Sequence, residues 1–320
     1  MNTDAEVVVI GGINVDIKSR VDASLVMATS NPGTTTITAG GVGRNVAESL
    51  ARLGVRTSLI SAVGDDAFAT VAIKRTADAG VDLRGVLELK DTPTGTYTAV
   101  IGTTGELAVG VASMQALRSI TPAVIRTHHA LIRSARWLVL DANLEPEVLV
   151  CALDLAAHHR VAVAIDPVSV PKSERVRAML HASHPIALLT PNRDELAHLV
   201  ERNSINDADL DSACRTLHAQ GVQTVWVHLG MAGSLVSSAT GAATRRVATT
   251  AVDDVVDVTG AGDAALAGWL WASLGGHEAV ACARFGTAAA LCTLRARASV
   301  DPHLSASSIT ALERTIPEST

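Results

Sequence analysis

Val256-Asp257-Val258-Thr259-Gly260-Ala261-Gly262-Asp263 runs into Ala264 to Leu274, an apolar, alanine-rich segment. That segment reads as a buried helix, so Gly260-Ala261-Gly262 stands where a loop becomes a helix N-terminus. Glycines at such a point leave backbone N–H groups uncovered and let an anion approach closely. First-turn N–H groups have no partner inside the helix, and the helix dipole adds partial positive charge. The stretch is therefore built like a phosphate cradle. Asp263 is the exception, a carboxylate set into a site for anions. Helix capping accounts for it simply, because Asp is favoured there. A base that takes a proton from a hydroxyl as a phosphoryl group arrives accounts for it too.

Working outward, the chain alternates strands and helices. Glu6 to Gly11 is a β-branched run ended by Gly11-Gly12 and reads as a buried parallel strand. Thr57 to Ala62, Trp137 to Leu140, Val161 to Ile165, Ile186 to Leu189 and Val222 to Leu229 read as further strands, with helical segments between most of them. Right-handed crossovers between parallel strands give a doubly wound, mostly parallel central sheet flanked by helices. Lys18 to Thr38 and Thr94 to Val111 alternate around the turns Ser30-Asn31-Pro32-Gly33 and Gly102-Thr103-Thr104-Gly105. They predict a small β-sheet standing off the main one, over about residues 17–38 and 94–112. Residues 1–320 are thus read as one α/β domain with a β-sheet lid.

A second glycine turn precedes a helix near the other end of the chain, in Ala39-Gly40-Gly41-Val42-Gly43-Arg44-Asn45. Gly40 and Gly41 let backbone approach a ligand, and Asn45 in the first helical turn can bond a hydroxyl; a tight turn with a cap is the plainer account. Asn14 and Asp16 follow the first strand, at the edge where open α/β sheets bind ligands. A carboxylate there accepts from two vicinal hydroxyls at once. Asn192 and Glu195 fit a helix capping box.

Composition sets limits. Aromatic residues make up 2% of the chain and the net charge is −6. No stacking platform or basic block is offered to nucleic acid. No apolar run is long enough to predict a membrane span, and Met1 to Glu6 carries acid where a signal peptide carries base. The four cysteines show no C-x-x-C spacing and sit in apolar contexts, which predicts buried thiols and a cytoplasmic protein. The pairs His128-His129 and His158-His159 do not share a helix face with a third ligand, so no metal is expected there.

The octet resembles D-T-x-G-A-G-D, the C-terminal signature of the ribokinase-like (PfkB) carbohydrate and nucleoside kinases, with Val258 where threonine is usual. Gly40 to Asn45 resembles the same family's G-G-x-G-x-N sugar-binding signature. The longer string, SNPG followed by AGGVGRNVAESLARLG, is similar to its pseudouridine-phosphorylating branch. The resemblance spans about Val7 to Leu304 and implies the ribokinase-like fold. It implies that Asp263 is the catalytic base and that Gly260, Ala261 and Gly262 form an anion hole. Asn14, Asp16, Gly41 and Asn45, with Gly40, would hold ribose hydroxyls. Asn192 and Glu195 would organise Mg²⁺ and the phosphates of ATP, Glu195 in part through water. His228-Leu229-Gly230-Met231-Ala232-Gly233 resembles the nucleotide loop T-x-G-x-x-G, with His228 in place of a hydroxyl residue. Thr259 would also lie at the nucleotide, and Asp257 and Thr259 are the candidate ligands for a monovalent cation such as K⁺. The expected partners are a small nucleoside, ATP and a second copy of the chain paired through the lid. Ser30, Asn31, Thr38, Asp141 and Asn143 are candidates for reading the base, with Asn143 at the strand edge. Lys172 is either a contact to the base or phosphate or a solvated lysine. Another ribose or nucleoside kinase of the family, or a non-catalytic nucleoside-binding protein, are the alternatives.

Overall fold

A computed structural model describes residues 5–181, 184–241, 243–252, 255–296 and 298–318. Residues 1–4 and 319–320, at the ends of the span read as one domain, lie outside the described residues. The strands are β1 (Val7–Ile10), β2 (Asn14–Val21), β3 (Gly33–Gly40), β4 (Thr57–Gly64), β5 (Asp82–Leu89), β6 (Thr96–Ile101) and β7 (Leu107–Ser113). They continue with β8 (Trp137–Asp141), β9 (Ala162–Asp166), β10 (Ile186–Leu189), β11 (Val222–His228), β12 (Ser234–Ser238) and β13 (Arg245–Val247). Among the described residues one sheet has nine strands in the order β13-β12-β11-β10-β9-β8-β1-β4-β5, and a second has four in the order β3-β2-β6-β7. From β11 to β5 the large sheet is parallel, and β12 and β13 extend one edge antiparallel.

The run Val7 to Ile10 is apolar throughout because β1 lies mid-sheet between β4 and β8, buried on both faces. Side-chain alternation sends Val7 and Val9 into one core and Val8 and Ile10 into the other. The first core contains helix Val42–Arg52 and the alanine-rich helix Ala261–Leu274. Small residues let the latter cross helix Ala279–Thr293 closely. A Cβ on Gly268 would lie 2.7 Å from the Phe285 carbonyl oxygen. Trp226 fills the space beside this crossing and tilts over Trp269, ring centroids 4.8 Å apart. Each fully buried large side chain of this kind contributes about 1.5–3 kcal/mol.

Two features differ from the sequence reading. Asn14 and Asp16 do not sit on the end of the first strand. The chain leaves β1 at Ile10, turns through Gly11-Gly12, and Asn14 opens β2 in the smaller sheet. Strands β5, β12 and β13 escape the hydrophobic pattern, because Asp82, Arg84 and Glu88 interrupt the first and serines or arginines open the others. Near the C-terminus, helix Ala306–Glu313 is docked on the core: Ile309 and Ile316 are buried, and Arg284 donates to the carbonyls of Glu313, Ile316 and Pro317. Among the described residues no helix is long and apolar enough to cross a membrane.

Candidate active site

The helix of the opening octet begins with Gly260 as its N-cap, at φ 81°, and spans Ala261–Leu274. Only glycine takes that backbone angle readily, and a Cβ there would fall 1.9 Å from the Ser299 carbonyl oxygen. Gly262 has open space where a side chain would begin. Ala261 and Gly262 form one wall of a cleft, and the Ala261 N–H donates back to the Val258 carbonyl at 3.3 Å. Asp263, in the first turn, is buried. Burial pushes its carboxyl up to about 7; the Asn45 hydrogen bond and Arg44 oppose this, while Asp141 and Asp16 add to it.

Asn45 comes from the other glycine turn. Gly41, at φ 99°, caps helix Val42–Arg52, and a Cβ on it would lie 2.4 Å from the Gly12 carbonyl oxygen. The Asn45 amide donates through Nδ2 to Asp263 Oδ2 at 2.7 Å. Its orientation is set from behind, where Arg44 Nη2 donates to Asn45 Oδ1. Arg44 is itself fully buried and held by Glu48 at 2.7 Å. Asp16 is buried beside this turn; it accepts from Asn14 Nδ2 at 2.7 Å and from Ser299 Oγ at 3.4 Å. A side chain on Gly40 would strike the Asp16 carboxylate, 2.5 Å from its nearest oxygen. Asn14, Asp16, Gly40, Gly41, Asn45 and Asp263 are thus brought into one neighbourhood.

Asp141 proves to be a backbone staple rather than a reader of a base. Its Oδ2 accepts from the N–H of Gly12 and of Gly43, both at 2.8 Å, and Oδ1 accepts from Asn143 N–H. It ties the end of β8 to the turn at Gly12 and to the start of helix Val42–Arg52 at Gly43. Asn31 is likewise committed locally, bonding Val26 in its own exposed loop. Asn143 accepts from Lys172, and both line a cleft of about 310 Å³ with Ser113, Gln115 and Arg118.

Asn192 and Glu195 form a capping box: Asn192 accepts from the N–H of Asp194 and Glu195, and Glu195 Oε2 accepts from Asn192 N–H at 2.9 Å. Asn192 also pairs with His228, which brings the two loops together. His228, Gly230, Met231 and Gly233 line the same cleft of about 350 Å³ as Ala261 and Gly262. Burial pushes His228 down to about 4, so the imidazole is neutral there. Gly233, at φ 82°, packs where a Cβ would meet the Val247 carbonyl oxygen at 2.2 Å.

The sequence reading passed over Asp166, at the end of β9. Burial raises its pKa well above the usual carboxylate range, and Asp263 and Glu195 add to the shift. The strand-end position was the available signal. The reading also missed Lys18. Its ammonium donates to Asp257 Oδ2 at 2.6 Å and to Thr259 Oγ1 at 2.9 Å. Asp257 Oδ1 accepts from the N–H and hydroxyl of Thr259 at 2.9 and 2.7 Å. Burial alone would raise the Asp257 pKa; Lys18 and Thr259 hold it below the usual value. Both carboxylate oxygens are engaged, so Asp257 does not fit the expected role of ligand to a monovalent metal ion.

Comparison with known proteins agrees with this architecture. The model of the pfkB family carbohydrate kinases matches residues 4–305. An uncharacterized sugar kinase of Escherichia coli, YeiI, is 32% identical over 299 residues, 93% of this chain and 81% of that protein. A pseudouridine kinase of the same organism is 32% identical over 308 residues, 96% of each chain. The structure of Arabidopsis thaliana ribokinase complexed with ribose and ATP shares the fold, with a TM-score of 0.84 at 22% identity over 97% of this chain and 99% of that one. The chain belongs to the pfkB family of carbohydrate kinases and is a ribokinase-like sugar or nucleoside kinase.

Proposed function

We propose that the protein transfers the γ-phosphoryl group of ATP to the 5′-hydroxyl of pseudouridine, giving pseudouridine 5′-phosphate and ADP. The observation that carries this reading is the 2.7 Å bond between Asn45 and Asp263, which joins the sugar-type turn to the phosphate-type turn. The similarity to a pseudouridine kinase along the whole chain supports the choice of acceptor.

Asp16, with Asn14, Gly40, Gly41 and Asn45, fixes the ribose, so that the 5′-oxygen meets the phosphate as a positioned reactant. The bond from that oxygen to the γ-phosphorus forms as the bond from phosphorus to the bridging oxygen of ADP breaks, and Asp263 accepts the hydroxyl proton. The N–H groups of Gly260, Ala261 and Gly262 stabilise charge on the transferred group. The loop from His228 to Gly233, with Thr259 nearby, holds the nucleotide.

Among the described residues no group of three or more acidic, histidine or cysteine side chains is arranged to hold a metal ion, so Mg²⁺ would be held by few carboxylates together with the phosphates of ATP. Asp263 and Glu195 lie close enough to raise the pKa of Asp166, a repulsion that a hard dication with oxygen ligands relieves. Glu195 and Asp166 would hold it, directly or through water, and when bound it neutralises charge on the phosphates. Asn143, with Lys172 on its amide oxygen, supplies polar groups for the base.

The smaller sheet acts as a lid over the acceptor and pairs with that of a second copy. Ile37, Leu107, Val109 and Val111 are each more than half exposed on it, an apolar surface with a free edge strand. Light scattering checks this: a monomer at micromolar concentration counts against it.

A coupled assay of ADP release with pseudouridine, uridine and ribose tests the acceptor. Pseudouridine should give the highest kcat/KM. Turnover with ribose alone would assign a sibling activity, and binding without turnover would remove the kinase reaction.

A further inference from the structure

Lys18 lies two residues beyond Asp16 on β2, the strand that also opens with Asn14. Its ammonium crosses to the loop just before Gly260, where Asp257 and Thr259 close a ring around it. The Lys18 and Asp257 side chains each keep 25% of their surface exposed, so the pair is partly shielded from solvent and its attraction is stronger than that of a fully exposed pair. An ammonium and a potassium ion carry the same charge, are of similar size, and both take oxygen neighbours. The tethered ammonium needs no dissolved ion, because the chain already holds it in place.

We infer that Lys18 is the resident monovalent cation of the phosphate-receiving turn, so that the enzyme works without added K⁺ and its acceptor strand is tied to that turn. This rests on the reading of Gly260 to Asp263 as the turn that receives phosphate. The ammonium supplies fixed positive charge beside that turn and orders it through Asp257 and Thr259. Because Lys18 shares a strand with Asp16, the same contact sets the distance between the sugar-binding carboxylate and the N–H groups of the turn.

The test compares KCl with choline chloride at equal ionic strength, so that screening is constant. For the unmodified protein, turnover should agree within about twofold and the thermal midpoint should not depend on K⁺, since no ion binds the folded state preferentially. Lys18→Met should lose about tenfold or more in choline, the scale of one lost charged contact. It should recover in KCl or NH₄Cl, and its thermal midpoint should now rise with K⁺. Stimulation of the unmodified protein by KCl overturns the inference, whether or not the variant folds. So does a Lys18→Met enzyme fully active in choline, or one that stays inactive in KCl and NH₄Cl with a midpoint indifferent to both. Failure of every acceptor to turn over would instead remove the kinase reading, while the thermal midpoints would still decide the role of Lys18.

Discussion

Asn45 donates to Asp263 across 2.7 Å, although 218 residues separate them in the chain. Each lies in the first turn of a helix that begins at a glycine with positive φ, Gly41 for one and Gly260 for the other. Two helix N-termini therefore meet at one carboxylate. Asn45 has its amide oxygen committed to Arg44, which leaves its N–H group directed at Asp263. This is the contact through which an acceptor held on one side would reach a base on the other.

Replacing Asp263, the proposed base, should separate binding from chemistry. Asp263→Asn should retain nucleoside and nucleotide affinity and lower kcat by about 10²–10⁴-fold, the range for loss of a general base. Single-turnover and equilibrium-binding measurements check this. A rate near that of the unmodified protein would move the base elsewhere.

The same residue predicts pH dependence. With its pKa near 7, kcat/KM should rise with pH through that value, because only the deprotonated carboxylate accepts a proton. Stability should run the other way. Asp263 binds its proton more tightly folded than unfolded, so its folded-state burden is absent below the unfolded value of 3.8 and grows as pH rises toward about 7. Asp16, Asp141, Asp166 and Glu195 are shifted upward as well and act in the same direction. Asp263→Asn should therefore raise the thermal midpoint at pH 8 and leave it nearly unchanged at pH 4; a gain confined to pH 4 would reverse the sign.

The two glycines of the anion turn should fail differently. Gly260→Ala meets both positive φ and the Ser299 carbonyl, and should cost about 1–3 kcal/mol of stability as well as activity. Gly262→Ala meets open space, so the fold should hold while the new methyl group crowds the cleft it lines. Urea titration beside steady-state kinetics separates the two, and a Gly262→Ala enzyme with unchanged nucleotide KM and kcat would contradict the anion-hole role.

Asp16→Ala should act on the acceptor alone. Loss of a charged hydrogen bond of about 1.5–3 kcal/mol corresponds to a rise of roughly 10–100-fold in nucleoside KM, with nucleotide KM unchanged. An unaltered nucleoside KM would place the ribose elsewhere.

Asp141→Ala leaves the N–H groups of Gly12 and Gly43 without their buried acceptor. A loss of about 2 kcal/mol or more in unfolding free energy is expected, from about 1–3 kcal/mol per orphaned group. Denaturant unfolding with an unchanged midpoint would show that the staple contributes little.

Local sequence made much of this legible. Gly41 and Gly260 mark turns because only glycine adopts their backbone angles without strain, and apolar runs mark β1, β8 and the helix after Gly260. The parts that stayed hidden depend on what lies opposite. β5 carries Asp82, Arg84 and Glu88 and becomes a strand because β4 offers an edge to pair with. Asp141 looks like a ligand at a strand end until Gly12 and Gly43 are seen to share one of its oxygens and Asn143 N–H to take the other.

By itself the sequence determined where the chain must turn, which helices begin at exposed N–H groups, and that a lone carboxylate follows one of them. Tertiary structure alone decided which turns meet, that Asn45 faces Asp263, and that Lys18 reaches Asp257 across 239 residues of chain. The reason is physical: backbone angles and helix starts are set by neighbouring residues, whereas the partner of a charge is set by which surfaces the two cores press together.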